Sequence, residues 1–327
     1  MIFLDLLILA VGFFALIKGA DIFVDGSASL ARVFRVPAMI VGLTVVAMGT
    51  SAPELAVSTA AALGGSNEIA VSNVVGSNIF NLLMVLGVCA AIRAVPVDGA
   101  VLKKDFAAAF APTVILFFLT GGTKVFTGEL AAMRMADVAG AVTRPVALGL
   151  LAAFAVYIWS LIRAAKKNRR REEDNFGFKY SKGKCAFLII LGIAMIVAGG
   201  EAVVWSARQI ALALGMTETL VGLTVVSVGT SLPELVTSVV AIRRKETALA
   251  VGNVIGSNIF NLMLILGVSA GIHPVTVNAA SVWDMLILIL VTALTWILSL
   301  IGRRISRGEG AFMVLLYAAV ITFAVIR

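Results

Sequence analysis

The chain carries two copies of one sequence block, and the copies stand a constant 180 residues apart. The stretch GLTVVAMGTSAPELAVSTA from Gly42 matches GLTVVSVGTSLPELVTSVV from Gly222 at 12 of 19 positions. The stretch VSNVVGSNIFNLLMVLGV from Val71 matches VGNVIGSNIFNLMLILGV from Val251 at 13 of 18 positions. Self-similarity at a fixed offset predicts a fold built from two related halves.

Most of the sequence around these blocks is apolar. Hydrophobic residues make up 61% of the 327 residues and charged residues 13%, against about 45–50% and about 25% in soluble domains. A window of roughly 19 residues finds ten stretches that can cross the hydrocarbon core of a bilayer as helices. They lie near residues 2–24, 37–62, 69–92, 105–122, 146–164, 185–208, 217–242, 247–272, 283–302 and 310–326. We therefore predict an all-α integral membrane protein with ten transmembrane helices.

The predicted spans divide into two groups of five. Residues 1–164 contain the first motif region, 42–88, and residues 185–327 contain the second, 222–268. The charged segment 165–184 joins the two halves as a linker. Because five is an odd number, the second copy enters the membrane from the opposite side, as in the inverted repeats of many secondary transporters.

The basic residues predict the orientation. Placing the linker in the cytoplasm puts twenty of the 26 lysines and arginines on that side, in agreement with the positive-inside rule. The prediction is a multi-pass protein of the cell membrane with both termini outside. The net charge of +8 is explained by this topology, because no basic stripe with interleaved aromatics indicates nucleic acid. We expect the lipid bilayer as the surroundings, no nucleic-acid partner, and a monomer.

Two acidic residues lie in the middle of otherwise apolar spans. Glu54 and Glu234 each follow a Gly-Thr-Ser-x-Pro sequence, and a lone carboxylate at that depth costs at least a few kcal/mol. Pro53 and Pro233 lack the N–H that continues a helix, so each helix should break or kink there. Carbonyl oxygens freed beside a carboxylate are typical ligands of a hard cation.

The neighbouring residues supply more oxygen atoms. Thr50 and Thr230 precede the glutamates by four residues, which keeps both side chains on one helix face. In each half a polar stripe recurs at i, i+4 and i+8: Asn73, Ser77 and Asn81, and Asn253, Ser257 and Asn261. Such side chains can also hydrogen-bond across a helix bundle without binding an ion. A stripe that occurs twice, beside a broken helix with a glutamate, favours ion ligation.

The charge of the two carboxylates narrows the choice of ion. Together they offset one Ca2+ or two Na+, and no soft ligand that would select zinc or copper accompanies them. Ca2+ accepts six to eight oxygens, including bidentate carboxylates, whereas Mg2+ requires a stricter octahedral geometry. Competition of Ca2+ and Na+ for the same carboxylates would produce antiport.

The sequences GTSAPE and GTSLPE, each followed by GSNIFN, resemble the two alpha repeats of the cation/calcium exchanger superfamily, and in particular its prokaryotic sodium/calcium exchangers. The resemblance spans nearly the whole chain and implies antiport of about three Na+ against one Ca2+. It makes Glu54 and Glu234 the shared central ligands and adds the oxygens of Thr50 and Thr230. It further implies one flanking Na+ site formed by Ser51, Ser77 and the Ala47 carbonyl. A second flanking Na+ site would be formed by Ser231, Ser257 and the Ser227 carbonyl. Asn81 and Asn261 would lie at the middle of the site.

The chain departs from some relatives at one position. Archaeal and potassium-dependent exchangers carry Asp where this chain has Asn261, so the central site here has a formal charge of −2 at most. Potassium dependence is therefore not expected. Three Na+ would leave the site near +1 and one Ca2+ near neutral, which predicts electrogenic, voltage-sensitive exchange.

Other functions remain as alternatives. Exchange of Ca2+ or another divalent cation for H+ is the nearest one, because desolvation favours the protonated form of a buried glutamate. The Thr-Ser-x-Pro-Glu pattern, with its neutral oxygens suited to Na+, favours sodium. An intramembrane hydrolase would need a nucleophile with a base, an aspartate dyad or an HExxH helix, and the spans contain none of these. We predict a transporter of Na+ and Ca2+ that is not an enzyme and has no cofactor.

Three further polar residues receive structural interpretations. Asp21 and Glu201 also match at an offset of 180, and each could attract cations at an entrance. An end cap or an ion pair, such as Asp21 with Lys18, is the preferred interpretation. His273, the only histidine, lies at a turn before Pro274 and is interpreted as structural.

Overall fold

A computed structural model describes residues 2–64, 67–168, 180–214 and 227–326 of the chain, and most of them are helical. The α-helices are α1 Ile2–Phe34, α2 Ala38–Val41, α3 Ala47–Thr50, α4 Ala52–Leu63, α5 Asn67–Phe80, α6 Leu86–Ile92, α7 Phe106–Leu119, α8 Thr123–Phe126, α9 Glu129–Ala132, α10 Arg144–Asn168, α11 Lys182–Ala213, α12 Ser227–Gly229, α13 Leu232–Arg243, α14 Thr247–Ile259, α15 Leu266–Ile272, α16 Ala279–Leu300 and α17 Arg307–Ile326. In the described part of the chain some of these helices are connected by π-helical turns, at Gly42–Val46, Asn81–Val85, Val101–Asp105 and Phe260–Ile265, and by a 3-10 turn at Ile301–Arg303.

Seven helical segments in the described part of the chain are long and apolar enough to cross a membrane. They are Ile2–Phe34, Ile69–Ile92, Arg144–Lys167, Lys182–Ala213, Thr247–Ile272, Ala279–Arg303 and Arg307–Ala324. The pair Ala38–Thr50 and Ala52–Leu63 is bent by 49° and counts as an eighth, broken span. α7, in the predicted span 105–122, has only 14 residues. Part of the predicted span 217–242 lies outside the described residues, so the count of ten stays a prediction.

Two spans are far more buried than the others. An 18-residue window is 94% buried in Thr247–Ile272 and 72% buried in Ile69–Ile92, whereas the other five unbroken spans reach at most 33%. These two segments carry the GSNIFN motifs. Their burial explains why a polar stripe can lie on helices of high hydropathy, because its polar groups face other protein segments.

Two short antiparallel ribbons accompany the helices. β1 Val95–Pro96 pairs with β4 Arg304–Ile305, and β2 Val138–Val142 pairs with β3 Val275–Asn278. The all-α prediction did not include them. They join segments that are far apart in sequence, and their β-branched residues suit extended backbone.

The chain forms two compact units, and each takes segments from both sequence halves. One unit consists of Met1–Pro53 and Ser160–Ser257, and the other of Glu54–Trp159 and Asn258–Arg327. The division into halves 1–164 and 185–327 describes the repeat and stays a prediction. Of the predicted linker 165–184, residues 169–179 lie outside the described part of the chain.

In the first unit α1 and α11 pack against each other in antiparallel directions through glycines. Added Cβ atoms at Gly12, Gly19 and Gly26 would lie 3.0, 2.7 and 3.0 Å from Val203, Met195 and Leu188. The glycines recur every seven residues, so they form one narrow face on α1. A Cβ at Gly192 on α11 would lie 2.7 Å from the Cβ and 2.8 Å from the Cα of Phe23. Small residues thus let the two helix backbones approach closely.

Candidate functional site

The helix that precedes Glu54 breaks where the sequence predicts it. α3 ends at Thr50, Ser51 has φ −83° and ψ 9°, and α4 begins at Ala52 and bends away by 49°. Pro53 falls in the first turn of α4, where a missing N–H costs no helical hydrogen bond. The break therefore places Glu54 in the first turn of a helix, where the helix dipole favours a negative charge.

The second copy has the same local structure. Ser231 has φ −94° and ψ 5°, and it precedes α13, which has Pro233 in its first turn. Glu234 lies in that first turn as well. The predicted breaks at both prolines are thus confirmed.

Glu234 is fully buried, and its two oxygens have different surroundings. Its Oε1 accepts hydrogen bonds from the hydroxyl of Ser51 at 2.8 Å and from the hydroxyl of Ser257 at 3.4 Å. Its Oε2 is buried and has no hydrogen-bond partner among the described residues. A buried carboxylate oxygen without a donor is unfavourable unless a cation or a proton approaches it.

An asparagine ties the helices around Glu234 together. The amide nitrogen of Asn253 donates to the hydroxyl of Ser238 at 2.9 Å and to the main-chain carbonyl of Glu234 at 3.4 Å. Its amide oxygen accepts from the hydroxyl of Thr50 at 2.9 Å. Because Thr50 belongs to the first copy of the motif, residues of both copies meet within this unit.

The same arrangement surrounds the main chain of Glu54 in the second unit. The amide nitrogen of Asn73 donates to the hydroxyl of Ser58 at 2.9 Å and to the carbonyl of Glu54 at 3.4 Å. Glu54 and Ser58 are fully buried. These two distances equal those of Asn253 in the first unit, so the sequence repeat corresponds to a repeat of hydrogen bonds.

The last asparagine of each GSNIFN motif lies at a π-helical turn. Asn81 begins the turn Asn81–Val85, and Asn261 lies within Phe260–Ile265. Both side chains are fully buried. π-helical turns inside helices often occur at functional sites. The sequence predicted these asparagines as ligands but contained no signal for the change in helix type.

The structure brings some of the predicted site residues together. Within the first unit, Thr50 and Ser51 lie with Glu234, Asn253 and Ser257. Ser231 and Ser77 are also buried, and Thr230 has a buried hydroxyl without a partner among the described residues.

The structure describes the main chain of both residues whose carbonyls the family resemblance implies as ligands. The Ala47 carbonyl accepts the N–H of Ser51 at 3.0 Å, so the helix uses it in the described conformation. The main chain of Ser227 begins α12, and its side chain lies outside the described residues. Both carbonyls stay predictions as ligands.

The glycine in the second GSNIFN motif permits a close approach, as the sequence suggested. A Cβ at Gly256 would lie 2.7 Å from the Cβ of Ala47 and 2.9 Å from the Cα of Leu43. Only a residue without a side chain lets the π-helical turn Gly42–Val46 pack against this part of α14.

Two peripheral residues have structural partners. Asp21 pairs with Arg244, whose Nη2 lies 2.5 Å from its Oδ1. The ion pair was the preferred interpretation, but its partner is Arg244 and not the suggested Lys18. His273 caps the end of α15 and lies 3.1 Å from the carbonyl oxygen of Pro274.

Sequence reasoning missed four polar residues that hold the site together. They are Ser58, Ser238, Asn78 and Asn258, and each is buried. The signal was present, because Ser58 equals Ser238 and Asn78 equals Asn258 across the repeat. Identical polar residues in the apolar spans of both copies indicate a shared contact as clearly as the i, i+4, i+8 stripe does.

Comparison with known proteins identifies the family. The family model for sodium/calcium exchanger proteins matches residues 4–163 and 184–326. The chain is 32% identical to the sodium/calcium exchanger MaX1 of Methanosarcina acetivorans over 98% of both sequences. It is 35% identical to the putative antiporter CaxA of Alkalimonas amylolytica over 94% of both.

A solved structure gives the same answer at the level of the fold. The sodium-calcium exchanger NCX_Mj, soaked with 2.5 mM Na+ and 10 mM Sr2+, matches with a TM-score of 0.81 and 28% identity. The match covers 98% of this chain and 99% of that one. The resemblance predicted from the doubled motif is thus confirmed, and the chain is an all-α membrane protein that belongs to the sodium/calcium exchanger family.

Proposed function

We propose that the protein exchanges Na+ for Ca2+ across the membrane by alternating access, with about three Na+ moving against one Ca2+. In this proposal Glu54 and Glu234 are the ligands that both ions share. Family membership and the exchanger names of its relatives support antiport of a cation against Ca2+.

The observation that carries the proposal is the environment of Glu234. The carboxylate is fully buried in α13, and one of its oxygens has no donor among the described residues. Two serine hydroxyls, of Ser51 and Ser257, lie on its other oxygen. Hydroxyl, amide and carboxylate oxygens without any soft ligand are the surroundings that Na+ and Ca2+ prefer.

The wider ligand set of the proposal follows the family resemblance. It comprises Glu54, Glu234, Thr50, Thr230, Ser51, Ser231, Ser77, Ser257, Asn81, Asn261 and the carbonyls of Ala47 and Ser227. Of these, Ser51 and Ser257 already contact Glu234. The remaining ligand roles are proposed on sequence position.

The proposed exchange carries net charge. With a neutral amide at Asn261, the two glutamates give a formal charge of −2. Three Na+ then leave the site at about +1, and one Ca2+ leaves it neutral. One charge per cycle crosses the membrane, which is worth about 2.3 kcal/mol per 100 mV.

The proposal includes a topology. Ten spans form two inverted repeats, both termini lie outside, and the linker 165–184 lies in the cytoplasm. The protein resides in the cell membrane as a monomer. The long helices and their apolar surfaces support the membrane location.

Flux measurements test the driving ion. Purified protein in liposomes receives a Na+, K+ or H+ gradient separately, and 45Ca2+ uptake is followed with the other ions balanced. We expect uptake driven by the Na+ gradient at clamped pH, together with an inward or outward current. Uptake driven by a pH gradient without Na+ establishes the H+ alternative instead.

Stoichiometry is a separate outcome. Na+-driven uptake that neither generates nor responds to a membrane potential contradicts about three Na+ per Ca2+ and leaves Na+/Ca2+ exchange in place. The Glu54→Gln variant tests the shared-ligand model in the same assay. Wild-type exchange by this variant contradicts that model.

A further inference from the structure

A cluster of four asparagines in the second compact unit is bonded asymmetrically. Asn78 and Asn258 stand 180 residues apart, as do Asn81 and Asn261. All four are at most 1% exposed. Of each GSNIFN motif, only the serine and the last asparagine belong to the proposed ligand set, so Asn78 and Asn258 have no assigned role in it.

Two of these residues exchange equivalent hydrogen bonds. The amide nitrogen of Asn78 donates to the main-chain carbonyl of Asn258 at 3.2 Å, and that of Asn258 donates to the carbonyl of Asn78 at 3.3 Å. Each residue thus contacts its own counterpart in the other copy, which defines a local twofold relation. Up to this point the two copies are equivalent.

A third hydrogen bond breaks the equivalence. The amide nitrogen of Asn261 donates to the amide oxygen of Asn78 at 3.0 Å. Its counterpart would run from Asn81 to Asn258, but neither the amide of Asn81 nor the amide oxygen of Asn258 has a partner among the described residues. Asn78 therefore uses both ends of its amide, and Asn258 uses one.

This bond determines what the Asn261 amide can offer. With its nitrogen held by Asn78, its oxygen points away from that contact, and this oxygen is buried without a partner among the described residues. An amide oxygen is a suitable ligand for Na+ or Ca2+, whereas an amide nitrogen is not. Without the contact to Asn78, the side chain could turn either end toward a cation.

We propose that Asn78 is a positioning residue that orients the amide oxygen of Asn261 for cation ligation. Asn78 does not touch the ion. It binds the nitrogen of Asn261 on one side and the main chain of the second copy on the other, so the orientation is tied to the helix framework. The inference rests on the proposed function, because it needs Asn261 to be a ligand.

Equilibrium 45Ca2+ binding to the purified full chain tests this role. Asn78→Ala removes the acceptor of Asn261, and we expect Ca2+ binding to weaken about 2- to 10-fold, the value of one neutral hydrogen bond. Asn258→Ala is the matched control, because it removes the reciprocal main-chain contact but no contact to Asn261. Its effect on Ca2+ binding should be smaller.

A double-mutant cycle separates positioning from general damage to the fold. In an Asn261→Asp background the side chain has no N–H to donate to Asn78. The additional effect of Asn78→Ala on Ca2+ binding should then shrink, which is a coupling that a merely structural role would not produce. If the alanine variant does not fold, Asn78→Ser replaces it, because its hydroxyl is too short to reach Asn261.

The outcomes are distinct. Equal weakening by Asn78→Ala and Asn258→Ala, or an undiminished effect of Asn78→Ala in the Asn261→Asp background, overturns the positioning role alone. A wild-type protein that neither binds nor exchanges Ca2+ overturns the proposed function and this inference together. Weakening that is specific to Asn78 and coupled to Asn261 supports it.

Discussion

Replacing Glu234 with Gln should change thermal stability in opposite directions with and without Ca2+. In the absence of the ion, the wild-type protein buries a carboxylate whose Oε2 has no donor among the described residues. An unsatisfied buried polar atom costs about 1–3 kcal/mol, and more when it is charged. Glu234→Gln removes the charge and keeps an oxygen for the Ser51 hydroxyl, so it should be the more stable protein without Ca2+.

Saturation with Ca2+ should reverse the order. A ligand at 100 times its dissociation constant stabilises the folded state by about 2.7 kcal/mol. For a chain of 327 residues that corresponds to a rise of about 4 °C in the unfolding temperature. The wild-type protein should show this rise, and Glu234→Gln should not, because the amide cannot replace the charge that the divalent ion needs.

The chain offers its own probe for the measurement. Cys89 and Cys185 are free and fully buried, so a thiol-reactive dye reports unfolding as they become accessible. Glu201→Gln is the matched control, because Glu201 is exposed and lies outside the proposed ligand set. It should retain the full Ca2+-induced rise. The reasoning is refuted if Glu234→Gln gains as much stability from Ca2+ as the wild type does.

Three more changes have expected outcomes. The free energy of unfolding of Gly192→Ala should be about 1–3 kcal/mol lower than that of Gly149→Ala in the same dye assay. A Cβ at Gly192 would lie 2.7 Å from Phe23, whereas nothing lies within 4 Å of a Cβ at Gly149. Equal stability of the two variants contradicts this reasoning. Glu54→Gln should abolish Na+-driven 45Ca2+ uptake in liposomes, and wild-type uptake argues against a shared ligand. Asn261→Asp adds a negative charge beside the two glutamates and should alter ion preference, measured as a shift in the half-saturating Na+ and Ca2+ concentrations for 45Ca2+ uptake in liposomes; unchanged half-saturating concentrations for both ions contradict a ligand role for this residue.

The parts of the fold and site that could be predicted are those set by local chemistry. Pro53 and Pro233 lack the N–H that would continue the preceding helix through them, so both breaks were predictable, as was the burial of the glutamates beside them. The doubled motif was specific enough to predict the family. These features need no knowledge of which helices pack together.

The parts that could not be predicted depend on tertiary contacts. The π-helical turn at Asn81–Val85 has the same apolar composition as an α-helix. The partner of Asp21 is Arg244, 223 residues away, although a lysine stands three positions before Asp21 in the sequence. The reciprocal contact of Asn78 with Asn258 likewise requires the packing of two distant helices, which periodicity within one helix does not reveal.

Some hydrogen bonds occur in both copies of the repeat, and we call these the common frame. Others differ between the copies. Asn73 with Ser58, and Asn253 with Ser238, form bonds of equal length beside the two glutamates. The bond of Asn261 to Asn78 has no counterpart in the other copy among the residues that the structure describes. A transporter that alternates between two conformations through related repeats must keep its frame in both, and it changes the contacts that differ between the repeats. Substitutions in the frame should therefore lower stability in every ion condition, whereas substitutions in the asymmetric contacts should change how the protein responds to its ions.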